Sequence, residues 1–570
     1  MAKSAPKHFF SKVASVEMPR SLFNMDYVDT FTLSTDYLYP NYQLLVIPGD
    51  TVSLDYSSFT RLVAPINVPM MDNLYMEQHF WFVPWRLVWD YTKNFFGEQR
   101  RPEDPTDFTI PQIEIDGSEL VTGSIWDYLG IPVNQVPSGT KIYVNALLPR
   151  SLNLTYDDWY RDEQRVDYLY ANFGNQTVSA SGVSYNGSTV KPYELQLRGK
   201  RFDAFTSSLL EPQAGVPVNI PLGTSAPVYA TGVDNDISSY LGNLAPLHMY
   251  GSSSLSDGVY TSAPNAPSNN TNMAIANTSG ALSNVSGTVS VGNYRYTPSN
   301  LIADLALATP ATIPTLRQAF QIQAYNEICQ RNGTRMTEFI YGHYGVISPD
   351  SRLQRPEFLG RTFCRLSVQP IVQNSGTTTS ENTENTPLGT LGGIVAGGNS
   401  ESVFTRSFTE FGYIFSFVNI YSDLTYFQGL DRHWSVKTPL DLPLPVFGNL
   451  TDEAIPQKEL YLSGVSTQDD IPFGFGERYY WAKYAKNSLR GLVRPNATLS
   501  IGYWSLAQEL SLNSDGVLPN NDEFILSDTP IDRINAVSDQ PAFICNQKFT
   551  VKLTRELPAY SDPMKWFMRG

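Results

Sequence analysis

Short apolar runs separated by turn residues recur in both end regions of the chain. Between residues 31 and 90 such runs flank a turn signal at residues 48–50 (Pro-Gly-Asp). Residues 80–83 (Phe-Trp-Phe-Val) form a compact aromatic strand that ends at Pro84. Residues 409–426 have the length and the β-branched and aromatic content of one or two long strands. The pattern predicts a chain built mainly from β-strands.

Helical periodicity occurs in only a few places. The clearest predicted helix begins at Pro314, a favoured first helical position, and ends at Gly333, with apolar residues at three- and four-residue steps between them. A short helix is predicted over residues 87–96, closed by a glycine, and a polar helical patch over residues 156–165. We therefore expect a few helices in addition to a mainly β-stranded fold.

The composition changes abruptly in the middle of the chain. Residues 223–303 contain only four charged residues and are otherwise rich in Ser, Thr, Asn, Gly, Ala and Pro. Because a core segment needs sustained strand alternation, which is absent here, residues 223–300 are predicted to form an inserted outward protrusion. The candidate residues of this protrusion are Asp234, Asp257, Tyr260 and Arg295.

A second low-complexity stretch covers residues 373–402. It contains five glycines between residues 389 and 398 but lacks the Lys-Ser/Thr pair with which a phosphate-binding loop grips its ligand. This stretch is therefore predicted to be a flexible loop without a ligand.

Composition and charge narrow the class of protein. The chain has 570 residues with a formal net charge of −15, and it contains 33 Tyr, 30 Phe, 39 Gly and 39 Pro. Abundant Tyr with many turns favours an all-β protein with long loops and extensive interfaces. The acidic charge argues against a dedicated nucleic-acid reader. No run approaches the length of a membrane span, so no membrane insertion is expected.

Candidate chemistry is sparse. The chain has no G-x-S-x-G, H-E-x-x-H or phosphate-loop motif, and its five histidines and three cysteines lack metal-ligand spacing. Asp157-Asp158 beside Trp159 is a weak carboxylate pair, since a glycosidase needs two carboxylates across a cleft. We therefore expect no catalytic residue, no metal and no cofactor. A carbohydrate-binding or glycoside-cleaving β protein remains the alternative on composition alone.

Several segments resemble one family, the major capsid proteins of the Microviridae, and most closely its gokushovirus-type branch. The most specific segment is the run from Ser348 to Gly360, which includes Arg352-Leu353-Gln354-Arg355-Pro356-Glu357. Departures include Trp85, where the family usually has Asn, and Phe411, where His is common. The other matching segments are residues 19–21, 48–50, 61, 65–66, 71–74, 82–89, 97–98, 159–162, 205–209, 212–213, 316–320, 333–335, 345–346, 408–410, 426, 428–430, 473–474 and 477–478.

This resemblance implies a fold and a function. The fold would be an all-β, eight-stranded viral jelly roll with large loop insertions and a few helices. Residues 1–222 and 301–570 would form the two parts of the jelly-roll domain, and residues 223–300 the protrusion, at the threefold axes. About sixty copies would form a T=1 icosahedral capsid around circular single-stranded DNA.

The resemblance also implies partners and a location. A small basic DNA-binding viral protein would accompany the genome, because a shell of subunits at −15 each cannot neutralise DNA unaided. The inserted loop would contact a host surface receptor of this bacteriophage. The protein would lie in the virion, and in the host cytoplasm during assembly.

The most specific matching segment also supplies candidate interface residues. Arg352, Arg355 and Glu357 lie in a Pro-interrupted loop with charges of both signs. We expect them to form ion pairs, within one subunit or between subunits, that order this loop. The alternative is a solvated surface loop.

Overall fold

The structure is a computed structural model. It describes residues 20–560 except 170–172, 186–187, 217, 334, 351–353, 375–388 and 538–539, and between 219 and 312 it describes only five short strands. The chain divides into two compact units, one formed by residues Met1–Pro212 with Cys329–Gly570 and the other by Gln213–Ile328.

Strands dominate the described residues of the first unit. Its strands are β1 (Ser21–Asn24), β2 (Tyr27–Leu33), β3 (Tyr39–Val46), β4 (Thr51–Leu62), β5 (Leu74–Pro84), β6 (Gln112–Asp116), β7 (Lys141–Asn145), β8 (Val178–Ser179), β9 (Val183–Tyr185) and β10 (Ser188–Val190). After the second unit follow β16 (Glu357–Val372), β17 (Leu391–Ser407), β18 (Gly412–Ser422), β19 (Glu453–Pro456), β20 (Pro472–Gly476) and β21 (Phe543–Arg555).

The helices are few and mostly short. They are α1 (Trp85–Val88), α2 (Thr92–Phe95), α3 (Ile125–Tyr128), α4 (Leu147–Trp159), α5 (Ile313–Asn332), α6 (Met336–Tyr344), α7 (Ser466–Asp469), α8 (Tyr480–Lys483) and α9 (Asp522–Ile525). Short 3-10 turns lie at Arg432–Ser435, Pro439–Asp441, Pro445–Phe447, Gln457–Glu459, Gly491–Val493, Gly502–Trp504 and Ile531–Arg533.

Eight antiparallel strands form the central sandwich. One four-stranded sheet has the order β2-β21-β4-β17, with β1 also paired to β21, and the other has the order β3-β18-β5-β16. The two sheets join where the far halves of β16 and β17 pair with each other, from Ser367↔Ala396 to Val372↔Leu391. This strand order is that of a jelly roll, so the predicted eight-stranded fold is confirmed.

The sandwich core is aromatic and draws on both sheets. Tyr42 of β3, Tyr56 of β4, Phe80 of β5 and Phe549 of β21 are all buried, and their rings lie within 5.0–6.3 Å of one another. Such edge-to-face and tilted ring contacts stabilise a core beyond simple area burial. Valines and leucines from neighbouring inward positions complete this cluster.

Two connections carry most of the remaining chain. Residues 85–356 connect β5 to β16 and include the second unit, while residues 423–542 connect β18 to β21. The first part of the longer connection packs α1, α3, α4, β6 and β7 on the outer face of the β3-β18-β5-β16 sheet, where Trp81, Val83, Phe415 and Phe417 are buried. That sheet is consequently covered on both faces.

The glycine-rich stretch differs from its predicted loop. Residues 391–407 form the long strand β17, although residues 375–388 lie outside the described residues. The glycines are required by packing: a Cβ on Gly397 would lie 2.7 Å from a Leu366 methyl group, and one on Gly393 would lie 2.9 Å from Ile66. Close approach of neighbouring chain segments therefore selects glycine in a strand here.

Two helix predictions were displaced. Helix α4 covers Leu147–Trp159 and not residues 156–165, because the Asn145 side chain accepts the Leu147 N–H at its start. After its end, Asp162 Oδ1 accepts the N–H groups of Gln164 and Arg165 at 3.0 Å and folds that segment into a turn. The predicted helix over residues 87–96 is two single turns, α1 and α2.

The other local predictions are confirmed. The turn at residues 48–50 joins β3 to β4, and β5 ends at Pro84. Helix α5 covers Ile313–Asn332 and is followed by Gly333 at φ +81°, in the left-handed region that glycine tolerates. The three cysteines are free thiols.

The second unit contains short strands in the described part of the predicted protrusion. Strand β11 (Val228–Ala230) pairs with β15 (Leu301–Ala303), and β12 (Leu247–Gly251) pairs with β13 (Gly258–Tyr260) and β14 (Tyr296–Pro298). Of the candidate residues, Tyr260 ends β13, whereas Asp234, Asp257 and Arg295 lie outside the described residues.

Candidate self-association surfaces

The loop before β16 is held against helix α4. The Arg355 guanidinium carbon lies 3.9 Å from the centroid of the Trp159 ring, and its Nε donates to Asp350 at 2.7 Å. The Trp159 indole N–H in turn donates to the Pro356 carbonyl at 3.2 Å. The side chain of Arg355 is only 21% exposed, so the cation lies against the ring largely out of water.

The other two candidate loop residues have different outcomes. Glu357, the first residue of β16, forms an ion pair with Arg406 of β17, so its partner lies in the same subunit. Arg352 lies outside the described residues. The structure therefore places Arg355 and Glu357 in separate contacts: Arg355 ties the loop to helix α4, and Glu357 ties β16 to β17.

The carboxylate pair of α4 is not arranged as a catalytic pair. Asp157 is buried, and its Oδ1 accepts the Leu169 N–H at 3.0 Å and lies 3.4 Å from Arg161 Nε. Burial raises the pKa of Asp157 to about 7, against the opposing effects of that hydrogen bond and of Arg161. Only Asp158 lines a cleft, so the pair does not present two carboxylates to one bound molecule.

The described histidines have structural neighbours. His79 of β5 lies 3.1 Å from Glu77 and 2.7 Å from the Tyr160 hydroxyl. His343 of α6 lies against the Phe339 ring, with centroids 4.3 Å apart. Among the residues that the structure describes, no three His, Cys, Asp or Glu side chains group as a metal site would require.

An exposed apolar segment lies in the β18–β21 connection. Residues 434–450, here called the apolar arm, have only two charged residues, and their chain is extended with Pro-led 3-10 turns. Trp434 is 71% exposed and Val446 is 85% exposed, and the arm's other exposed apolar residues are Leu440, Leu442, Leu444 and Leu450. Contiguous apolar surface of this kind marks a protein contact.

Sequence reasoning missed the apolar arm. Its signal was present as a run of Leu and Val interrupted by Pro439, Pro443 and Pro445, which prevents regular strand pairing. An apolar run that cannot join a sheet or a helix of its own chain is a candidate for burial against another molecule.

In the described part of the chain, the outward positions of the β2-β21-β4-β17 sheet are mostly polar and exposed or half-buried, and this side is here called the bare face. On adjacent strands Lys548 pairs with Ser57, which pairs with Ser400, and Lys552 pairs with Ser53 in the parallel row. The alternating inward positions of the same strands are buried. The two outer faces of the sandwich are thus unequal, one covered by the chain's own insertion and one open.

A jelly roll whose connections are enlarged into surface layers is an architecture found in viral coat subunits. The chain belongs to the family described as capsid protein (F protein), whose model matches residues 11–565. The resemblance to the gokushovirus-type capsid proteins of the Microviridae is thereby confirmed.

Curated relatives match over nearly the full length. The capsid protein VP1 of Bdellovibrio phage phiMH2K is 34% identical over 563 residues, which cover 98% of this chain and 97% of that protein. VP1 of Chlamydia phage 1 is 32% identical over 601 residues, covering 98% of each chain. VP1 of Spiroplasma virus 4 is 29% identical over 580 residues, again with 98% of each covered.

Family membership establishes the broad role. The chain is a major capsid protein, a structural component of a bacteriophage virion that assembles with itself into a shell. This is a structural role. In the described part of the chain, no helix is both long and apolar enough to cross a membrane.

Proposed function

We propose that about sixty copies of this chain form a T=1 icosahedral shell around a circular single-stranded DNA genome. The observation that carries the proposal is the inequality of the two sandwich faces. One outer face is covered by the first insertion, whereas the other is a bare, polar sheet. A shell subunit needs two such different faces, because one side meets solvent and the other meets the packaged genome.

The bare sheet face is the proposed genome contact. It presents the cations Lys548, Lys552 and Arg61 among many hydroxyl groups, together with the exposed ring of Phe59. Scattered cations and a ring suit phosphate contact and base stacking without sequence readout. Because the whole chain carries −15, the cations cannot neutralise the genome, and a separate small basic viral protein would supply the remaining charge.

The test is particle formation and packaging by the variant Lys548→Gln/Lys552→Gln. Electron microscopy of the purified wild type should show closed particles of uniform size. The double variant should form the same particles with less DNA, measured as the ratio of absorbance at 260 nm to that at 280 nm. Wild-type protein without closed particles would contradict the shell, and a double variant with full DNA content would contradict the proposed genome contact.

The inserted segment is the proposed host-attachment element. Residues 223–300 lie within the compact unit Gln213–Ile328, and their composition differs from both flanks. We propose that three copies cluster at each threefold axis and contact a host surface receptor, where low charge would limit mutual repulsion. A loop-rich segment outside the scaffold can vary without disturbing the fold.

Replacement of residues 224–300 by a short Gly-Ser linker tests this assignment. The jelly roll should fold and assemble, while adsorption of the particles to host cells should fall. Loss of the folded jelly roll would show that the segment belongs to the core. Assembly itself is proposed to take place in the host cytoplasm, which the three free thiols of the chain suit.

A further inference from the structure

One buried carboxylate on an inner strand of the covered sheet pairs with several cations. The Glu77 side chain on β5 is 1% exposed, and its oxygens lie 2.9 Å from Arg198 Nη1 and 3.1 Å from Arg361 Nη1. Arg201 also forms an ion pair with Glu77, and His79 Nε2 lies 3.1 Å away. Arg198 and Arg201 of one segment and the distant Arg361 of β16 therefore converge on one acidic side chain.

The charges in this cluster do not balance. Burial alone would raise the pKa of Glu77, but the hydrogen bond with His79 and the charges of Arg198 and Arg201 hold that pKa below its ordinary value. Burial lowers the pKa of His79, against the opposing effect of Glu77. One carboxylate against three guanidinium groups leaves an excess of two positive charges, and these arginines have no second carboxylate at ion-pair distance among the described residues.

The excess charge faces an open cleft. A cavity of about 900 Å³ lies over the cluster, between β5, β16, α4 and α6. Arg361 and Arg201 enter it with side chains 58% and 43% exposed. Tyr341 and Phe358 line the same cleft with exposed rings.

The composition of the cleft indicates what it binds. The cleft has seven basic lining residues, six of them arginine, against three acidic ones, Asp158, Asp162 and Glu338, so basic groups are in excess. Arg together with Tyr, Trp and Phe is the composition of protein–protein contact centres, in which Lys is depleted. The rest of the chain is acidic, since the whole carries −15. A neighbouring copy therefore offers carboxylates of the complementary sign.

We infer that the cleft over Glu77, lined by Arg201 and Arg361, is an inter-subunit socket that accepts a carboxylate-bearing surface of a second copy of this chain. The inference rests on the shell proposed above and specifies one place where two copies of the chain would contact each other. The buried Glu77 positions the arginines, and the exposed guanidinium groups of Arg361 and Arg201 face the incoming carboxylate.

The test is assembly of Arg361→Gln and Arg361→Lys variants. Arg361→Gln removes the exposed positive charge without introducing a second carboxylate beside Glu77. Particle yield, measured by sedimentation, should fall about tenfold, as expected for the loss of one interfacial charge pair. Arg361→Lys keeps the charge and should stay within about threefold of wild type. Arg100→Gln, which replaces an exposed arginine in the loop after α2, is the matched control and should form particles at the wild-type yield.

The possible outcomes separate the socket from the shell. Folding of each subunit is checked by its melting temperature, and Arg201→Gln provides a second variant if Arg361→Gln does not fold. Normal particle yield from both folded glutamine variants would overturn the socket, while failure of the wild type to form particles would overturn the shell. A 20-nucleotide oligodeoxythymidine that binds unassembled wild type but not a folded glutamine variant would identify nucleic acid as the occupant and would also overturn the socket.

Discussion

Replacement of Arg355 by alanine tests the contact that fixes the most family-specific loop of the chain. The substitution removes a guanidinium that stacks 3.9 Å from the Trp159 ring and pairs with Asp350 at 2.7 Å. A partly desolvated cation–ring contact contributes about 1–2 kcal/mol. A partly exposed ion pair adds about 0.5 kcal/mol. The free energy of unfolding of the subunit should therefore fall by about 2 kcal/mol.

The assay is thermal and denaturant unfolding of unassembled subunits, followed by the fluorescence of the tryptophans. Arg355→Lys is the matched control, because it retains the charge but loses the planar stack, and it should recover less than half of the loss. A double-mutant cycle of Arg355→Ala with Trp159→Leu isolates the stacking contribution, which should appear as a coupling energy of about 1 kcal/mol.

The measurements also distinguish a contact of Arg355 within one subunit from a contact between subunits, which the sequence left open. A contact within one subunit lowers the stability of the unassembled chain, whereas a contact between subunits lowers only the particle yield. A loss under about 0.5 kcal/mol in the unassembled subunit, or a coupling energy near zero, would refute the stacking argument. If particle yield then fell as well, Arg355 would belong to an inter-subunit contact.

Three further outcomes follow from the geometry. Burial raises the pKa of Asp157 to about 7, so in the folded chain this carboxyl keeps a proton that it releases near pH 4 when the chain is unfolded. The free energy of unfolding should therefore fall as the pH rises from about 4 to 7 and then level off. Asp157→Asn should flatten this slope in melting temperature, and an unchanged slope would contradict the assignment. Gly397→Ala should cost about 1–3 kcal/mol of unfolding free energy because its Cβ has no room, whereas Ser400→Ala on the same strand should be near neutral; equal effects would contradict the packing argument. Trp434→Ser with Val446→Ser should leave subunit melting unchanged but lower particle yield about tenfold, and unchanged yield would exclude the apolar arm from assembly.

Local signals predicted those elements whose stability is decided locally. The turn at residues 48–50 and helix α5 have strong local determinants, a Pro-Gly pair in one case and Pro314 with Gly333 in the other. Helix α4 was displaced because a side-chain cap at Asn145 and a carboxylate turn at Asp162 decide its ends. Such hydrogen bonds depend on one rotamer and leave no periodic signal.

The Glu77 cluster could not be predicted from sequence. Its arginines come from positions 198, 201 and 361, and only the pairing of β16 with β5 brings Arg361 opposite His79 and thus beside Glu77. For the glycines of β17, the local composition allowed a prediction, but tertiary packing overrode it. A glycine-rich run predicts a loop by composition, yet Gly393 and Gly397 lie in a strand, where their missing side chains make room for Ile66 and Leu366.

Strand β5 explains why so large a chain can depend on one sandwich. Phe80 and Phe82 face the inter-sheet core, while Trp81 and Val83 face the layer formed by the first insertion. A strand with one solvated face would alternate apolar and polar residues, so the unbroken Phe-Trp-Phe-Val run already encodes burial on both sides. The same four residues therefore stabilise the sandwich and hold the insertion layer against it. This layer covers one outer face of the sandwich and leaves the other face bare. The inequality of the two faces, on which the proposed shell depends, thus begins in the pattern of a single strand.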